Sequence, residues 1–149
     1  LTLVDCSAGR CSGRRGRSEI GSTDGEYLAV LTVLDGCEHI AQGERRIVLR
    51  RGEALAWSSS QPLRFAIPQR LRKRTLLVPR ARLAGGRPVD VERATVLSGP
   101  AGRLLVDHLA AVAAVGELPG PAAAAAATAA LELLAAALPG DAPEVDAEP

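Results

Sequence analysis

From Tyr27 to Val78 the chain reads YLAVLTVLDGCEHIAQGERRIVLRRGEALAWSSSQPLRFAIPQRLRKRTLLV, and the fold is decided there. Short apolar or alternating runs of strand length are separated by turn residues, with no helical period between them. Tyr27–Leu34 is an apolar run, and Asp35-Gly36 after it has the composition of a hairpin turn. Cys37–Gln42 follows, then Gly43-Glu44 as a second turn, then Arg45–Leu49. Arg51-Gly52 turns into Glu53–Trp57, and Ser58–Pro62 is a polar loop. In Leu63–Ile67 the apolar side chains Leu63, Phe65 and Ile67 alternate with Arg64 and Ala66, and Leu71–Val78 closes the series. Short strands joined by tight turns predict an antiparallel β sandwich or small barrel.

Outward from this core the character changes twice. Residues 1–26 begin with an apolar stretch and continue rich in Ser, Gly and Arg, which predicts an arm with one or two edge strands. After Pro79 come a loop and a possible strand at Val91–Leu97, so that the barrel is assigned to residues 27–98. Leu104, Leu105, Leu109, Val112 and Val115 then recur at helical spacing, behind the helix entry Ser98-Gly99-Pro100. Pro121 opens a second helix at a position where proline is tolerated, and Pro139-Gly140 ends it. Ala127, Leu131, Leu134 and Leu138 are spaced as the seam of a helix–helix contact. Residues 99–138 thus read as a two-helix segment, and 139–149 as a disordered acidic tail.

Composition bounds the function. A chain of 149 residues carries one core, and with aromatics at 2% that core is built from Val, Leu, Ile and Ala. The net charge is +1, but all 18 Lys and Arg lie between Arg10 and Arg103, whereas everything from Leu104 onward is acidic or neutral. Arginines without interleaved aromatics do not make a nucleic-acid reader, and the simplest expectation for them is a solvated outer face. Three cysteines (Cys6, Cys11 and Cys37) without a close pair predict free cytoplasmic thiols. No signal peptide and no membrane span are expected, because the Ala-rich run 121–138 is interrupted by Glu132.

The stretch Gly36 to Leu83 resembles the cupin-type sensor domain of AraC-type transcription regulators. The likeness rests on an ordered set: a strand, a Gly turn, the Arg45-Arg46-Ile47-Val48-Leu49 strand, the Arg51-Gly52-Glu53 turn, the polar loop ending in Pro62, and Val78-Pro79-Arg80-Ala81-Arg82-Leu83. Asp5-Cys6-Ser7-Ala8-Gly9-Arg10 and Ala130–Leu134 look familial as well. The resemblance implies a cupin-like, jelly-roll antiparallel barrel followed by two antiparallel helices. It also implies a small-molecule effector inside the barrel and a homodimer formed through the C-terminal helices. DNA would be bound only through a helix-turn-helix half, which nothing after Pro139 supplies.

Candidate residues follow, each against a blander alternative. Catalytic cupins converge about three imidazoles and a carboxylate on a metal. The only histidines are His39 and His108, so no metal, cofactor or catalytic residue is expected. His39 is a ligand contact if its strand face points inward and a solvated group if not. Trp57 beside the Ser-rich loop is a stacking platform or a rim plug. Arg64 and Arg74 are candidates for pairing with an anionic effector, against solvated arginines. Tyr27 completes the ligand-binding set, although core packing is the commoner role for such a residue. Ala127, Leu131, Leu134 and Leu138 are assigned to dimerisation, against packing within the chain. The alternatives to a sensor are a small cupin-type isomerase or hydrolase, and a structural dimerisation module without ligand.

Overall fold

The computed structural model describes residues 1–16, 25–83 and 91–139. The acidic tail and the second half of the arm lie outside the described residues. A single antiparallel sheet carries β1 (Thr2–Arg15), β2 (Tyr27–Gln42), β3 (Arg45–Arg50), β4 (Ala54–Ser58), β5 (Leu63–Pro79) and β6 (Thr95–Val96). Helices α1 (Gly99–Val115) and α2 (Gly120–Ala137) follow. The strand order is β1-β5-β2-β4-β6, with β3 also paired to β2. The fold is the expected one: mainly antiparallel β with two C-terminal helices, in a cupin-like arrangement.

Two expected strand breaks are not breaks. Asp35-Gly36 makes no hairpin, and β2 runs straight through it as a bulge between Val33 and His39 in its pairing with β5. Gly36 sits at φ +86°, where a Cβ would run into the Arg70 carbonyl, so glycine lets the two backbones touch. Leu63–Ile67 and Leu71–Val78 likewise merge into one 17-residue strand. Pro68 and Gln69 have no partner in the β1 register there, which suits a proline that brings no N–H to a ladder. Strand-length rules count apolar runs; they do not see that a bulge continues a strand.

The true hairpin is at Gly43-Glu44, where Gln42 faces Arg45. Strands β3 and β4 then return along the same edge of β2, β3 beside Cys37–Gln42 and β4 beside Leu28–Thr32. Between them the Arg51-Gly52 turn stays on the ladder, with Gly52 N donating to Val33 O at 2.9 Å. Glu53 Oε1 accepts from Arg50 N at 2.8 Å and ties the turn together.

Each face of the sheet buries a separate core. On the outer face Leu28, Val30, Ala54, Ala56, Leu76 and Val78 pack under Leu105 and Leu109 of α1 and Ala130 and Leu134 of α2. On the inner face Leu31, Val33, Ile40, Leu49, Leu55, Leu63, Ile67 and Leu71 are buried with no helix among their neighbours. Side chains on one face of a sheet reach burial without a covering layer only if the sheet curls over itself, and the bulges at Gly36 and Pro68 supply the bend. By length and composition α2 is apolar enough to cross a bilayer, which the sequence reading had not expected. Its Ala130 and Leu134 are committed to the core.

Candidate functional site

The buried side chains of the inner face are apolar except at one place. Glu38 is 2% exposed, and its Oε1 accepts from Lys73 Nζ at 3.3 Å. The other oxygen, Oε2, is buried without a hydrogen-bond partner among the described residues. Lys73 Nζ also lies 5.8 Å from the Phe65 ring centroid, within the range of a cation–π contact. Local geometry explains the gathering. Ile40 and Glu38 share one face of β2, and Val33 is directly opposite Lys73 across the β2–β5 ladder. Phe65 spreads over Gly13 of β1, which has no side chain to obstruct the ring. Burying a carboxylate in an aliphatic surface is costly unless it is paired, and here the pairing uses only half of its acceptors.

The five ligand candidates do not converge. His39 is exposed, because Ile40 takes the inward direction on that strand. Arg64 is exposed on the same outer face, one row from His39. Arg74 also leaves the inner face; its Nε and Nη2 donate to the two Asp5 carboxylate oxygens at 2.8 and 2.9 Å. Trp57 is half-buried against the inner-face core. Tyr27 is half-buried at the sheet end, where its N–H donates to Ser59 Oγ at 3.0 Å and its carbonyl accepts from Ser59 N at 2.9 Å. Sequence reasoning did not count Lys73 among the ligand residues, and it named Glu38 only as one of the few titratable groups open to an enzyme. Lys73 looked like one more base in an Arg-rich strand, although its alternation with Arg72 and Arg74 already placed it on the opposite face.

His39 and Arg64 do meet, in a groove of about 560 Å³ at the helix-free end of the outer face, together with Ser12, Arg14, Arg46 and Val48. A larger depression of about 740 Å³ lies between the Arg51-Gly52 turn and the first turns of α1, and none of the candidates reaches it.

The helix seam turns inward. Leu134 is fully buried in the core, and Leu131 and Leu138 pack against it from the side. His108 Nε2 lies 2.9 Å from the Ala126 carbonyl and bridges the two helices. The large apolar side chains that the described helices leave exposed are on α1: Leu104 is 56% and Val115 65% exposed. The cysteines are free thiols, with Cys6 and Cys11 exposed.

Comparison with known proteins gives the family. No curated protein matches the chain. Among solved structures it resembles the AraC-like transcriptional activator CuxR, with a TM-score of 0.76 at 17% identity. The alignment covers 91% of this chain and 50% of CuxR, so the chain spans about half the length of that relative. A second match, to an HTH_3 family transcriptional regulator from Vibrio cholerae, has a TM-score of 0.39 at 13% identity over 51% of this chain and 41% of that one, and carries no argument. The family model for the AraC-binding-like domain matches residues 1–139, and the chain belongs to that family.

Proposed function

We propose that this domain senses a small molecule on the inner face of its sheet, without a metal, and pairs with a second copy through its helices. The observation that carries the sensing part is the half-satisfied Glu38 carboxylate beside Lys73, inside an otherwise aliphatic surface. An effector with a hydroxyl or amine would donate to Glu38 Oε2, and an acceptor on the same molecule would meet Lys73. Its apolar body would lie against Phe65. Pairing with a second copy is supported by the stripe Leu104, Ala111 and Val115, which recurs at helical spacing and is left exposed on α1. DNA binding belongs to a helix-turn-helix half outside these residues, and the effector acts by shifting how the helices present that half.

Native mass spectrometry of the chain tests this. The expected result is a metal-free dimer carrying an added small-molecule mass, with the mass lost in Glu38→Gln and the dimer lost in Leu104→Glu. A monomer with a bound transition metal would overturn both parts and revive the enzyme alternative.

A further inference from the structure

The register of the sheet lines up three arginines that a stable surface would keep apart. Arg14 of β1 is directly opposite Arg64 of β5, Arg64 is opposite Ala41 of β2, and Ala41 is opposite Arg46 of β3. One row along, the same four strands present Ser12, Ala66, His39 and Val48. Strands lie about 4.8 Å apart, so the first row spans roughly 14 Å and sets Arg14 and Arg64 on one side of a small alanine floor and Arg46 on the other. Like charges directly opposite each other on neighbouring strands are destabilising. Elsewhere the sheet avoids this: Arg70 pairs with Asp35, Lys73 with Glu38 and Arg74 with Asp5. Among the described residues no carboxylate lines the groove that holds the row. Among the described residues Arg46 is satisfied only by the turn carbonyls of Gly43 and Arg45, which leave its charge in place.

We infer that this groove binds a small anion bearing two or more phosphate groups through arginines of the outer face, not through the Glu38–Lys73 pair, although Phe65 borders both places. Three guanidiniums present about +3, with no acid among the described residues that line the groove. One carboxylate cannot balance that charge, whereas a di- or triphosphate matches it and also offers the oxygens for bidentate Arg contacts. The His39 ring and Ser12 hydroxyl add further hydrogen-bonding groups at the row behind. The groove's volume of about 560 Å³ fits a small molecule better than a polymer surface. Ala41 and Ala66 keep the floor low, so a phosphate chain laid across the strands reaches arginines from both sides.

The test is calorimetric titration of the whole chain at low salt with inorganic triphosphate, alongside thermal melts without ligand. Triphosphate should bind, and the Arg14→Gln/Arg64→Gln double variant should lose about tenfold or more in affinity, some 1.4 kcal/mol per decade. The same variant should melt at a temperature equal to or about 1 °C above the parent, because it removes a repulsive cross-strand pair. Arg80→Gln, a distant exposed arginine, should bind as the parent does. Unchanged affinity in the double variant overturns the proposal. So does an equal loss in Arg80→Gln, which would mean diffuse charge attraction. A short duplex DNA that binds through Arg14 and Arg64 when triphosphate does not would overturn it too, in favour of a nucleic-acid surface.

Discussion

The two ends of this sheet share strands and differ in almost everything else. At the end carrying Leu28, Val30, Leu76 and Val78, the outer face is backed by two helices. There the arginine nearest the core, Arg74, is clamped by Asp5 with only 13% of its side chain exposed. At the end carrying His39, Ala41, Arg64 and Arg46, none of the described helices covers the outer face, and no acid lines the groove beside these arginines among the described residues. The inner face is buried at both ends. One end is therefore organised by burial and the other by its surface, and the difference lies in where α1 and α2 dock.

That contrast can be broken at the helix-backed end first. Truncating Leu105, which is fully buried, should cost about 2–5 kcal/mol in chemical denaturation. Val48→Ala, at a side chain 39% exposed at the open end, should cost well under 1 kcal/mol. Equal costs would mean that the open end is covered in solution. Next in size is Lys73→Met, which strands Glu38 in the aliphatic inner face. Breaking a buried pair costs about 3–5 kcal/mol, and because Lys73 keeps a quarter of its side-chain exposure we expect the lower end. Adding Glu38→Leu should recover most of that loss in a double-mutant cycle, since the stranded charge and not the missing contact is the damage.

Smaller effects sharpen the comparison. Asp5→Ala removes a two-pronged pair whose acid is 49% exposed, and should cost about 1 kcal/mol or less, falling further in high salt. At the opposite end Arg14→Gln should raise stability by a few tenths of a kcal/mol in the same assay, shrinking with salt. Two arginines on the outer face of the same sheet would then carry opposite signs, one held by a carboxylate and one pushed by its neighbour.

Most of the fold was legible in the residues. Alternation and turn chemistry identify the β region, and the spacings of Leu104, Leu105, Leu109, Val112 and Val115 and of Ala127, Leu131, Leu134 and Leu138 identify two helices, although Leu104 and Val115 stay exposed. The breaks inside β2 and β5 were misread because an Asp-Gly pair and a proline signal a turn and a bulge alike; only the partner strand decides which. The site was less legible. His39 and Arg64 were singled out as groups for a barrel interior, whereas they stand together outside it. Lys73 and Glu38 could have been found from alternation alone, had the strand been followed residue by residue through its arginines.

What the sequence determined by itself is whatever depends on near neighbours along the chain: strand and helix character, the aliphatic core and the segregation of charge. What the tertiary structure decided is everything that depends on register. Which residues share a row, which face the helices cover, and whether Leu131 and Leu138 pack inward all follow from pairings between segments tens of residues apart. A register shift of one residue would exchange the inner and outer faces of a strand. The two states expose opposite alternating sets of side chains, and burial of Ile40 rather than His39 marks the one adopted.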